Sequence, residues 1–128
     1  MSAAPEAVDC VEVALPVPLR HSFSYRVPAR LRGRLEMGCR VAVPFGPRKL
    51  AGFVVGHSDV PPKVGKLRDV AGLVDPLPVF TAELLAFLRL AAEYYIHPIG
   101  EVLRAAAPAL PTEAMAALRH GGFLAHGE

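Results

Sequence analysis

The chain has no tryptophan and only two cysteines among its 128 residues. Cys10 and Cys39 stand alone, with no C-x-x-C and no H-x-x-x-H spacing anywhere, which argues against a disulfide-stapled scaffold or a zinc site. Both thiols are expected buried and reduced, and no metal or cofactor is expected. No apolar run approaches the roughly 18 residues that cross a bilayer. The start, MSAAPEAVDC, lacks a basic stretch followed by an apolar one, so no export signal is expected. Catalytic signatures are missing too. There is no G-x-x-x-x-G-K-[ST] loop and no G-x-S-x-G elbow. His57, Ser58 and Asp59 are adjacent, and neighbours on an extended chain point to opposite faces, so they cannot align as a triad. The chain is not expected to be an enzyme by itself.

What is present is a chain able to bury a core, 52% hydrophobic and 20% charged. Thirteen prolines punctuate it into short elements. The net charge is only +2, but it is unevenly spread. Residues 20–68 hold eleven Lys or Arg against two acids, a local net of +9, while the remainder holds three basic and ten acidic residues. Such asymmetry fits one surface that faces an anion, with a merely solvated surface as the plain alternative.

The first nine residues read as a flexible terminus. Cys10–Leu15 is valine-rich and reads as a strand, stopped by Pro16 and Pro18. In Ser22–Val27 the residues Phe23, Tyr25 and Val27 share one face, and Ser22, Ser24 and Arg26 the other. Residues 29–38 form a basic loop ending in a turn at Met37–Gly38. Arg40–Phe45 and Leu50–His57 form a hairpin around a basic tip, Gly46-Pro47-Arg48-Lys49. Asp69–Val74 is a fifth strand. Strands this short, with turn signals every 8–15 residues or so, predict a small OB-like β-barrel, closed or half-closed, of five to six strands over about 10–75. From Thr81 the texture turns helical. Thr81 is an N-cap, and Leu84, Phe87, Leu88, Ala91 and Tyr95 form an apolar stripe of a helix reaching Tyr95. Ile99–Ala106 follows as a second helix, bounded by Pro98 and Pro108, and Thr112–Arg119 as a short third within a tail, or the start of another domain, over 112–128. The fold class expected is therefore α+β, mainly β, with two to three helices packed on the barrel.

Phe23 and Tyr25 are either barrel core or a platform on which a nucleobase stacks. Arg48 and Lys49 are either solubility residues or phosphate contacts. Gly46 is either a turn glycine alone or one that also lets a ligand approach the backbone. The residues themselves lead to a small basic domain that binds an anionic polymer, and no further.

Several stretches then fall together in order: ALPVPL (14–19), FSYRVP (23–28), GCRVAVPFG (38–46), GFVVG (52–56), PVFTAELL (78–85) and AAEYYIHPIGEVLRAAAP (91–108). Over about 14–111 the chain resembles the 3′ DNA-binding domain at the N-terminus of primosomal protein N′, the bacterial PriA replication-restart helicases. The resemblance implies a 10–111 domain in a cytoplasmic, nucleoid-associated protein. Such a domain grips the 3′ end of the nascent leading strand at a stalled fork, as part of the restart primosome. It implies a pocket for the terminal nucleotide at Phe23, Ser24, Tyr25, Gly46 and Arg68. Arg48, Lys49 and Lys66 are phosphate-contact candidates beside it. The helicase motor and the cysteine-rich zinc module of that family are not in this sequence. At position 24 the family carries an acid. Serine there keeps an acceptor but loses the charge, so a weaker preference for a free 3′-hydroxyl is expected. Two other readings stay open: a protein-interaction barrel that docks a helicase core or primosome partner, and end-independent binding of single-stranded nucleic acid. Tyr94, Tyr95, Ile99 and Val102 are expected in the core rather than in a site.

Overall fold

A computed structural model describes residues 9–19, 21–58 and 67–109. The expected features at 1–8, at Lys66 and at 112–119 lie outside these. Five strands form one antiparallel sheet: β1 (Cys10–Ala14), β2 (Phe23–Arg26), β3 (Arg40–Phe45), β4 (Arg48–Ser58) and β5 (Gly72–Leu73), in the order β2-β1-β4-β3-β5. A 3-10 turn at Ala29–Leu31 follows β2, and two helices, α1 (Ala82–Tyr94) and α2 (Ile99–Ala106), close the described chain.

Strand alternation separates the two faces of the sheet. One face carries Val11, Val13, Tyr25, Val41, Val43 and Val54, which meet Leu31, Leu35 and Val70 from the covering segments. The other carries Ala14, Phe53 and Val55 beneath Phe80, Leu85 and Leu103 of the helical part. α2 lies so close to β1 that a Cβ on Gly100 would fall on the Leu15 carbonyl, which is why this helical position takes glycine. Arg40 is buried and ties these layers together. Its Nε bonds the Asp75 carboxylate at 2.6 Å, its Nη1 donates to the Pro108 carbonyl at 2.7 Å, and its guanidinium lies 5.9 Å from the Phe53 ring centre.

The expected barrel is not closed. Among the described residues the edges β2 and β5 are joined where the chain ahead of β5 passes Arg26, forming one isolated parallel bridge with Asp69. There the Arg26 N–H donates to the Arg68 carbonyl at 2.8 Å, and the Val70 N–H to the Arg26 carbonyl at 2.9 Å. β2 has only four residues, so few backbone groups face that edge, and the passing chain meets the N–H and carbonyl of one residue, Arg26. Asp69–Val74, expected as a strand, pairs as strand only at Gly72–Leu73.

The β3–β4 hairpin differs from expectation at its tip. Its loop is two residues, Gly46-Pro47, because Phe45 already pairs with Arg48 and Pro44 with Lys49. Gly46 has φ +61°, the left-handed geometry that a two-residue hairpin with glycine first requires. Arg48 and Lys49 therefore open β4 instead of forming the tip.

α1 begins as expected. The Thr81 hydroxyl accepts from the Leu84 N–H at 3.1 Å, with Glu83 in the first turn. Its buried side is Leu85, Leu88 and Ala92, which shares only Leu88 with the expected stripe: Leu84, Phe87 and Tyr95 (72%) are exposed, and so are Leu90 and Tyr94 (78%). The helix is apolar nearly all round, so periodicity alone could not set its rotation. Tyr94 and Tyr95 are thus not core, whereas Ile99 packs on the second cluster. α1 ends at a left-handed residue, Ile96 (φ +52°), with the Ile96 N–H donating to Glu93 and the His97 N–H to Ala92. These are the two bonds of a Schellman cap, at a position where glycine is the usual occupant.

Candidate nucleic-acid interface

The gap in the unclosed sheet is a cleft of about 410 Å³, within the range of small-ligand sites. Three segments wall it: 21–25 from β2 and the residues before it, Pro44–Gly46 from the hairpin, and Leu67–Arg68 from the chain crossing to β5. Larger hollows lie along α1, but this one gathers a glycine turn, aromatic side chains and a cation from separate parts of the fold.

Each wall follows from local sequence. The alternation of β2 sends Phe23 and Tyr25 to the same face, but to different depths. Tyr25 is buried, and its hydroxyl donates to the Pro44 carbonyl at 2.7 Å. Removal from water pushes the Tyr25 phenol above its ordinary value, and the nearby Arg68 charge partly opposes this. Tyr25 is therefore wall and core, and not a stacking platform. Phe23 is half-buried and lines the cleft. Phe45 meets it edge-on with ring centres 5.3 Å apart, and His21 lies tilted at 4.7 Å. Arg68 is exposed and donates from Nη1 to the Gly46 carbonyl at 3.1 Å, which sets a positive charge beside the turn. Gly46 is open, with no neighbouring atom where a side chain would stand.

Phe23, Ser24, Tyr25, Gly46 and Arg68, separated by up to 45 positions, thus share one cleft. Arg48 is exposed and Lys49 half-buried at the start of β4, and neither lines it. Sequence reasoning missed His21 and Phe45. His21 lies two residues from Phe23, on the same side by strand alternation, which is the signal that would have found it. The basic stretch is also partly consumed internally. Arg26 pairs with Asp69 at 3.1 Å, Arg30 donates to the Ala71 carbonyl at 2.7 Å, and Arg40 is buried. Among the described residues no group of three His, Cys, Asp or Glu is placed to hold a metal ion, and no helix is long and apolar enough to cross a membrane.

Comparison with known proteins matches residues 12–108 to the family model of the 3′ DNA-binding domain of PriA. Replication restart protein PriA of Treponema pallidum is 34% identical over 108 residues, covering 80% of this chain and 16% of that protein. PriA of Haemophilus influenzae is 41% identical over 101 residues, covering 77% of this chain and 13% of its own length. PriA of Bacillus subtilis is 44% identical over 64 residues, 49% of this chain and 8% of that protein. The chain therefore spans less than a fifth of the relatives it matches. With the match extending from β1 through α2, this chain belongs to the PriA 3′ DNA-binding domain family.

Proposed function

We propose that this chain binds DNA and holds the 3′ end of a strand in the cleft between β2, the Gly46 turn and Arg68. At a stalled replication fork that end belongs to the nascent leading strand. The observation that carries the reading is the Arg68–Gly46 contact at the mouth of the cleft. A cation and a turn glycine stand together where a terminal phosphodiester would pass, with the half-buried ring of Phe23 alongside for the terminal base. Of the two expected platforms only Phe23 remains, and stacking on it tolerates any base, so little base preference is expected. The unclosed sheet fits the same reading, because full closure of the barrel would remove the cleft. The chain carries no nucleotide-binding loop of its own, and any helicase activity belongs to a full-length protein acting in the bacterial cytoplasm at the nucleoid.

Fluorescence anisotropy with three labelled single strands tests this: one with a free 3′-hydroxyl, one ending in 3′-phosphate, and a circular strand. Tighter binding of the free end than of the circle supports the reading, and equal binding of all three reduces the domain to an end-independent strand binder. Affinity should also fall with salt, at a log–log slope of about −0.7 for each phosphate contact.

One observation favours a second, compatible role. Phe87, Leu90 and Tyr94 form an exposed apolar face on α1, and none of the three lines the cleft. Such a face fits docking against the rest of a PriA-type protein or a primosome partner. Loss of that docking in a Phe87→Ser/Leu90→Ser variant, with DNA binding retained, would separate the two surfaces.

A further inference from the structure

The serine at position 24 does not stand alone. Glu12 of β1 lies directly across the ladder from it. The Ser24 hydroxyl donates to one oxygen of the Glu12 carboxylate at 2.6 Å, and the Ser22 hydroxyl donates to the other at 2.9 Å. On the far side of Glu12 the paired residue is Gly56. The two hydrogen bonds hold the carboxylate toward the serines, both of which line the cleft.

A serine hydroxyl has one proton and two lone pairs. A carboxylate has only acceptors, so the direction of both bonds is unambiguous, and each serine has committed its one proton to Glu12. What remains on Ser24 is acceptor capacity alone. We infer that Glu12 is a specificity-determining residue for the strand end. It fixes Ser24 as an acceptor and supplies, from the neighbouring strand, the negative charge that an acid at position 24 would carry. This deepens the strand-end reading above and rests on it. A terminal 3′-hydroxyl can donate to such a group. A 3′-phosphate brings further acceptors and about −1.5 to −2 charges toward a carboxylate, and is rejected. The preference for a free hydroxyl, expected to be weakened by serine, is thus retained.

Glu12→Gln tests this. Glutamine keeps the size and one acceptor but adds an NH₂ donor and loses the charge. One serine is then freed to turn its proton toward a ligand. The unmodified chain should bind a 3′-hydroxyl oligonucleotide at least about tenfold more tightly than its 3′-phosphate counterpart, as for a hydrogen bond near a charged group. In Glu12→Gln that ratio should fall below about threefold. Adding Ser24→Asp to the same chain should restore it. A purely structural role for Glu12 would weaken both ligands together and leave the ratio unmoved, and that result overturns the inference. If Glu12→Gln fails to fold, Ser24→Ala takes its place, since it removes the acceptor and leaves β1 intact. An unchanged ratio there also overturns the inference. The strand-end reading fails differently: a circular strand would bind the unmodified chain as tightly as a free end, and both claims would fall together. Preference for ends with a ratio insensitive to Glu12 removes Glu12 alone.

Discussion

The Tyr25 hydroxyl donates to the Pro44 carbonyl at 2.7 Å, joining the edge strand β2 to the hairpin two residues before the Gly46 turn. These are two of the three walls of the cleft, so this hydrogen bond, with the Phe23–Phe45 ring contact, braces its width. Tyr25→Phe keeps the buried ring and removes only this link. It should cost about 1 kcal/mol in urea unfolding, because the Pro44 carbonyl loses its donor. DNA affinity should fall several-fold through the loosened wall. Unchanged affinity would mean that the cleft does not depend on this bond.

Arg68→Ala should weaken binding of a 3′-ended strand about tenfold and make the log–log salt slope shallower by about 0.7. The Arg68–Gly46 contact is exposed, so the thermal midpoint should hardly move. Arg68→Lys should retain most of the salt slope. Salt titration by anisotropy reads both quantities, and a slope that does not change would take Arg68 away from the phosphate path.

At the end of α1, Ile96 occupies the left-handed position of the cap with a mostly exposed side chain. A β-branched residue there costs roughly 1–2 kcal/mol, against about 0.5–1 kcal/mol of extra chain entropy for glycine. Ile96→Gly should therefore stabilise the chain slightly and raise its melting temperature by a few degrees, as differential scanning calorimetry would show. A fall would mean that the Ile96 side chain makes a stabilising contact that outweighs the strain.

Burial pushes the Cys10 and Cys39 thiols above the ordinary 9.0, and the Tyr25 phenol above 10.0. At Cys10 the neighbouring acids Asp9 and Glu12 add to this. All three groups hold their protons more tightly when folded. The unfolded chain deprotonates first, so their contribution is complete below pH 9.0 and is lost as pH rises through the raised folded values. The melting temperature should be flat from neutral to mildly alkaline pH and decline above that. Both thiols should resist alkylation until the chain unfolds. Rapid labelling of either at neutral pH would contradict their burial.

Much of this architecture was legible in the residues. The valine-rich runs of β1, β3 and β4 stand out against proline and glycine punctuation. α2 starts and stops where Pro98 and Pro108 leave little choice. Three features were not legible. Closure of the sheet depends on where one passing segment meets Arg26, which no local pattern records. The rotation of α1 was hidden by apolar residues on every side. The hairpin tip was read two residues too long, because Arg48 and Lys49 look like loop residues although Gly46 and Pro47 suffice for the turn. In the cleft, the ordered motifs led to Phe23, Ser24, Tyr25, Gly46 and Arg68. Phe45 and Glu12 were missed because their roles arise from pairing across strands: Phe45 meets Phe23, and Glu12 meets Ser24.

The central claim is that the strand end enters the cleft between β2, Gly46 and Arg68. Amide chemical-shift mapping with a short single strand bearing a free 3′-hydroxyl tests it most directly, with a circular strand as reference. The account predicts that the 3′-ended strand shifts residues 21–25, Phe45, Gly46 and Arg68, that the circle largely spares them, and that the exposed face of α1 stays silent with both. The same shifts with the circle, or shifts centred on Leu90 and Tyr94 while the cleft stays unmoved, would contradict it.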